Sequence, residues 1–173
     1  MVEQRIVSHA TIDSPIGQLW LAATPKGLCC VGLPGQGREE LAAWVGRRLR
    51  PAKIVQDAAA LDAAAAQLIE YLNQDRQVFD LPLDVYGTLF QQQVWAQVAL
   101  IPYGVTATYG EVARRLGRSL GAARAVGAAV GANPLPLVIP CHRVVGAGGA
   151  LTGYGGGLEI KAALLRREGA IEG

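Results

Sequence analysis

Apolar and polar residues alternate from Arg5 to Ile12, again from Gln18 to Thr24, and again from Leu28 to Leu33, with turn chemistry at Ser14-Pro15-Ile16-Gly17 and Pro25-Lys26-Gly27 between them. A period of two sends successive side chains to opposite faces, so this stretch predicts a three-stranded antiparallel meander. After the glycine-rich residues 34–37 the period lengthens. Leu41, Trp44, Val45 and Leu49 share one helical face, and Leu61, Ala65, Leu68 and Leu72 share another over roughly residues 58–72. Both helices are expected to cover one side of the sheet.

Past a connector at 81–87, Phe90, Val94, Trp95 and Val98 return in helical rhythm. Thr108, with Glu111 three residues on, has the form of a capping box and opens a short helix that Gly117 ends. Ser119 is placed to cap the next helix, from Leu120 to about Ala132, which stops before Asn133-Pro134. Two short helices across a glycine turn make a helix-turn-helix candidate. Residues 121–129 of the second are nearly all glycine and alanine, with Arg124 as the single cation. A helix this thin can approach a nucleic-acid groove closely, or pack closely on a neighbouring helix with Arg124 merely solvated. The architecture expected is α+β: residues 1–82 a small domain with an antiparallel three-stranded sheet and helices, and residues 88–173 a mostly helical domain with the helix-turn-helix and a glycine-rich wing.

With 51% hydrophobic and 17% charged residues, the chain excludes disorder. Its start lacks the apolar run of a signal peptide and nowhere do ~18 apolar residues run together, so a cytoplasmic protein is expected, nuclear if eukaryotic. The formal charge of +2 is uneven: 8 basic and 10 acidic residues through Gly87, against 8 basic and 4 acidic from Thr88 onward. The second half, at about +4, is the one suited to a polyanion.

Three cysteines, two of them adjacent, make a poor disulfide framework and read as free thiols. Cys141 lies between the apolar run Leu135-Pro136-Leu137-Val138-Ile139-Pro140 and a segment, 146–157, in which 7 of 12 residues are glycine. A thiol on a stiff support facing a flexible loop suits a nucleophile. If 141–142 is extended, Cys141 and His142 point to opposite faces, and a bridging water is needed to connect them. No C-x-x-C or H-x-x-x-H spacing suggests zinc.

The motif Pro140-Cys141-His142-Arg143-Val144 is similar to the active-site sequence of the O6-alkylguanine-DNA alkyltransferases. The similarity extends through Phe90-Gln91-Gln92-Gln93-Val94-Trp95, Ile101-Pro102-Tyr103-Gly104, Thr108-Tyr109-Gly110-Glu111-Val112-Ala113, Ala122-Ala123-Arg124-Ala125-Val126-Gly127, Asn133-Pro134, Gly153-Tyr154 and Leu164-Leu165-Arg166-Arg167-Glu168-Gly169. The resemblance implies direct, stoichiometric transfer of an alkyl group from O6 of guanine in double-stranded DNA to Cys141, without a cofactor. His142 matches the residue that removes the thiol proton through water, Glu168 the carboxylate that orients it, Asn133 the residue that holds the active-site turn, and Tyr109 the phenol that donates to the guanine ring. The carbonyls of Cys141 and Val144 and the amide near Gly155 match groups that read the base edge, and Tyr154 matches a pocket wall. Arg124 matches the finger that fills the gap left by a guanine flipped through the minor groove. Gln91, Gly110, Ser119, Ala123, Gly127 and Ala147 fall at DNA-contact positions. The protein would act as a monomer, or as several copies along one duplex.

Two positions depart from the family pattern. Gly155 stands where some relatives carry serine, and Gly131 where relatives can carry a basic residue beside the recognition helix. Human-type relatives have a zinc site in the first domain whose ligands this chain lacks, so no metal is expected. Two other readings are weighed against the alkyltransferase. A non-catalytic helix-turn-helix or alkyltransferase-like DNA-binding protein would not need Cys141, and a thiol hydrolase would need His9, the only other histidine, to reach it.

Overall fold

A computed structural model describes residues 3–173. The chain divides after Tyr86 into two compact units. In the first, β1 (Arg5–Ser14), β2 (Gly17–Thr24) and β3 (Gly27–Gly32) form the antiparallel meander that the alternation predicts. The sheet has a fourth strand, β4 (Ala52–Gln56), which lies parallel to β1 at the other edge and gives the order β3-β2-β1-β4. The expectation of a three-stranded sheet is corrected here. Five residues, Ala-Lys-Ile-Val-Gln, carry too short an alternation to announce a strand, and a parallel partner more than forty residues away leaves no hairpin signature.

Helix α1 (Arg38–Arg48) sets Leu41 and Val45, followed by Leu49, against Val7, Ala22 and Cys29. Val7 aligns with Ile54, and Ala22 with Cys30, so these residues share one face of the sheet. On the opposite face Ala10, Leu21 and Val31 align across three strands, all buried. There a single 3-10 turn (Ala59–Leu61) and α2 (Asp62–Leu72) rest on β1 and β2. The two helical segments therefore cover both faces rather than one. Both spacings are amphipathic, but periodicity within a helix carries no information about which face of a sheet it meets.

The second unit opens with α3 (Leu89–Ala99), capped at Thr88 through a reciprocal pair with Gln91. Two-residue strands β5 (Ala107–Thr108) and β6 (Val144–Val145) pair in parallel. Thr108 and Glu111 form the predicted capping box at the head of α4 (Tyr109–Arg115), at 3.1 and 2.8 Å. Gly117, at φ 72°, ends it. The next helix differs from expectation in its first turn: residues 120–122 are 3-10, α5 proper is Ala123–Gly131, and the Ser119 side chain makes no capping hydrogen bond. Val126, Ala129 and Val130 face inward from α5 onto α3 and α4, and Trp95 of α3 donates its indole N–H to the Ala129 carbonyl at 2.7 Å. Helix α6 (Leu158–Arg167) follows the glycine-rich loop. Among the described residues, no helix is long and apolar enough to cross a membrane.

Candidate active site

The reactive segment is not the extended rod that its apolar composition suggests. Residues 135–139 fold back as turns, with Ile139 N–H donating to Leu135 O at 2.8 Å, and Leu137 is held at φ 75°. A leucine in the left-handed region costs on the order of 1–3 kcal/mol and persists only where neighbours over-determine it. Asn133 supplies that constraint: its Nδ2 donates to Ile139 O at 2.8 Å, and its Oδ1 accepts from Leu135 N at 2.9 Å. Cys141, His142 and Arg143 then form a 3-10 turn. The expectation that Cys141 and His142 alternate across an extended backbone is corrected accordingly. The tight pairing of Cys141 N–H with Ile139 O (2.7 Å) begins a curl that apolar patterning does not encode.

Behind the thiol lies a largely buried polar cluster. His142 Nε2 sits 2.8 Å from Glu168 Oε1, which the C-terminal end of α6 brings in. Arg143 grips the same carboxylate, with Nη2 at 2.7 Å from Oε1 and Nε at 2.9 Å from Oε2. Its remaining branch donates to Ile101 O at 2.6 Å, and Tyr103 lies under the guanidinium at 5.7 Å. Lys161, wholly buried on α6, donates to Val144 O at 2.7 Å and Thr152 O at 2.9 Å. It thus ties β6 to the glycine-rich loop. Tyr154 projects from that loop with a buried hydroxyl that has no hydrogen-bond partner, and Tyr109 OH donates to Thr152 O at 3.3 Å.

The electrostatics follow from this lining. Burial pushes the Cys141 thiol up, opposed by a hydrogen bond from Asn133 and by the Lys161 charge. Burial pushes His142 down, opposed by its hydrogen bond to Glu168. The resting pair is therefore a thiol and a neutral imidazole. With Glu168 accepting from Nε2, the basic lone pair of the imidazole is at Nδ1, so the ring is oriented to take a proton from elsewhere in the pocket.

The structure gathers Asn133, Cys141, His142, Glu168, Val144 and Tyr154 in this cluster. It sets Tyr109 at the loop that closes the cluster, and Gly155 next to Tyr154 with open space where a side chain would begin. On α5, Arg124, Ala125 and Ala128 are exposed while Gly127 approaches the Tyr109 ring, so the small residues do not serve a helix contact on the outer face. Ser119 and Ala147 are exposed and Ala123 half-buried, whereas Gly110 lies close under Leu120. The Gln91 side chain is engaged in capping α3. His9 is packed into the first unit's sheet and stacked on Trp20 at 6.0 Å. Sequence reasoning passed over Arg143 and Lys161 as site residues. A usable signal exists for Lys161: residues 161, 164, 165 and 168 share one face of α6 and its C-cap, so a lysine and a glutamate flank two buried leucines.

Fold and site together define a class: a helix-turn-helix unit that carries a buried cysteine, backed by an imidazole–carboxylate pair. The chain belongs to the 6-O-methylguanine DNA methyltransferase family, whose DNA-binding domain profile matches residues 89–170 and whose ribonuclease-like domain profile matches residues 7–85. It is 44% identical over 164 residues to the methylated-DNA--protein-cysteine methyltransferase of Mycobacterium tuberculosis, covering 94% of this chain and 93% of the relative. The inducible enzyme of the same name from Bacillus subtilis is 42% identical over 149 residues, covering 86% and 83%. Among solved structures, Mycobacterium tuberculosis OGT in complex with DNA matches with a TM-score of 0.80 at 42% identity, covering 95% of this chain and 93% of that one.

Proposed function

We propose that the protein repairs O6-methylguanine in DNA by moving the methyl group onto Cys141 in a single turnover. The observation that carries this reading is the buried thiol with the His142–Glu168 pair behind it on a helix-turn-helix unit. His142 Nδ1 takes the thiol proton through one water, while Nε2 donates to Glu168. The thiolate Sγ attacks the methyl carbon in line, the S–C bond forms as the C–O6 bond breaks, and the electron pair leaves on guanine. The departing base recovers a proton from the imidazolium, helped by the Tyr109 hydroxyl as charge develops. A thioether offers water no leaving group and the site holds no second thiol, so the protein is consumed.

Access requires the guanine to leave the duplex stack. The bare outer face of α5, with Arg124 as its one long side chain, suits a helix lying in the minor groove with the arginine filling the vacated position. The carbonyls of Cys141 and Val144 and the amide near Gly155 read the base edge, and Tyr154 forms a wall. All the residues given a role in binding and transfer lie in the second unit.

Intact mass spectrometry after incubation with duplex DNA carrying O6-methylguanine is expected to show one added methyl per chain, on the Cys141 peptide. Repeated turnover would end the stoichiometric reading. Arg124→Ala is expected to slow repair of duplex by one to three orders of magnitude, on the order of 1.4 to 4 kcal/mol, and to leave transfer from free O6-benzylguanine nearly unchanged. An equal loss on both substrates would move Arg124 into the pocket chemistry.

A further inference from the structure

A buried carboxylate beside a buried imidazole has two ways to settle its charge. Left alone, Glu168 would favour a protonated His142, because an ion pair is cheaper to bury than a bare anion. An imidazolium cannot accept a proton from a thiol. The site resolves this with a residue that touches neither thiol nor substrate. Arg143 places Nη2 at 2.7 Å from Oε1 and Nε at 2.9 Å from Oε2 of Glu168, and its Nη1–Ile101 bond and the Tyr103 ring fix the plane of the fork.

We propose that Arg143 is a positioning residue for alkyl transfer: by gripping both oxygens of Glu168 it satisfies that charge and keeps His142 in its neutral, basic form. This rests on the function proposed above. The groups around His142 support it. From α6 come Glu168 and Lys161, from its own turn Cys141 and Arg143, from the glycine-rich loop the Tyr154 phenol, and from the 101–104 turn the Tyr103 phenol beside Glu168 and Arg143. Glu168 is the single anion among them at rest. A proton placed on His142 in the resting state would stand against the cations of Arg143 and Lys161 with only one carboxylate to share. When the proton comes from Cys141, the thiolate forms opposite Lys161 in the same event and the total charge of the site is unchanged. The arrangement therefore disfavours an imidazolium made by bulk protons while permitting the one made during catalysis. The positive charge of Arg143 is what disfavours the resting imidazolium. The planar fork, which a lysine could not reproduce, engages both oxygens and a third acceptor at once and so fixes the carboxylate that orients His142.

The test measures transfer of the benzyl group from free O6-benzylguanine to Cys141 between pH 5 and 10, together with the imidazole carbon NMR titration of the full chain. The two histidines are separable by a His9→Gln control. In Arg143→Gln the rising limb of the rate profile is expected to move up by a pH unit or more. At pH 7 this variant would be slowed roughly tenfold or more but recover to within about threefold of the parent at the alkaline end, and its His142 resonance would titrate higher by the same amount. Arg143→Lys, which keeps the charge, is expected to keep the midpoint near that of the parent while lowering the rate. Should Arg143→Gln fail to fold, Arg143→Gln/Glu168→Gln removes both charges and is expected to leave the His142 midpoint at or below the parent value. A uniform loss at every pH with an unmoved His142 midpoint would overturn the proposal and leave Arg143 a structural residue. Absence of benzyl transfer in the parent would instead strike the proposed function, and the NMR midpoints would still decide the role of Arg143.

Discussion

The chain buries thiols in two places, and the surroundings differ more than the burial. Cys29 and Cys30 sit in β3: Cys29 donates to the Ala22 carbonyl, and burial pushes Cys29 up strongly and Cys30 up to about 12. Cys141 is buried too and is also pushed up by burial, but it meets Asn133 and the Lys161 charge, with His142 beside it. The same asymmetry holds across the units. His9 is the one buried ionisable side chain other than thiols and tyrosines described in the first, whereas His142, Arg143, Lys161 and Glu168 are all buried in the second. Burial by itself makes a thiol inert, and a reactive one needs a polar lining whose charges compensate each other.

That contrast is open to direct attack. The largest expected effect is in Cys141→Ala, which should take up no methyl from O6-methylguanine DNA while still binding duplex in a mobility-shift assay. Cys29→Ala and Cys30→Ala should each still take up one equivalent, with a stability loss on the order of 1 kcal/mol for the fully buried Cys29. Methyl found on Cys29 or Cys30 would break the comparison. Next in size, Lys161→Met should make the environment of Cys141 more like that of Cys29. Benzyl transfer is expected to fall on the order of tenfold. Two carbonyls also lose their donor, so denaturant melts should show a loss of roughly 2 kcal/mol or more.

The smallest effect concerns the histidines, since His9 and His142 are both pushed down by burial. A base whose folded pKa lies below its unfolded value near 6.5 binds protons more readily in the unfolded chain. Its stabilising contribution is therefore complete above about pH 6.5 and is lost as pH falls through and below that range. Thermal melts between pH 7 and 5 should show a smaller drop for His9→Gln than for the parent. An equal or larger drop would mean that His9 is not buried in its neutral form.

The reading of the sequence reached the class of fold, the Thr108 cap of the helix-turn-helix and the Cys141–His142 pair for reasons that are local, whereas Ser119 makes no capping bond and Glu168 and Asn133 were reached only through the family resemblance. Thr108 and Glu111 cap over three residues, and Pro140-Cys141-His142 are contiguous. Beyond what the resemblance supplied, it did not reach what depends on distant partners. Strand β4 exists because β1 accepts it in parallel, and Lys161 is buried because Val144 and Thr152 offer it carbonyls. Neither fact is written in residues 52–56 or 158–167 taken by themselves. The extended geometry expected at Cys141 failed for a similar reason: apolar runs read as strands unless something curls them, and here Asn133, two residues before the run, does so.

Trp95 gives the second unit an optical handle. It is the sole tryptophan after residue 86, buried in α3 with its indole N–H committed to the Ala129 carbonyl in the last turn of α5. In a Trp20→Phe/Trp44→Phe background its emission would come from a dry, hydrogen-bonded indole in contact with that one helix. Any shift of α5 during docking, or after the thiol has been spent, would change wavelength or lifetime without a label. The contact that fastens the helix to its scaffold thereby doubles as a fluorescence gauge of the helix's seating, readable in real time on the unlabelled single-tryptophan variant in a stopped-flow cell.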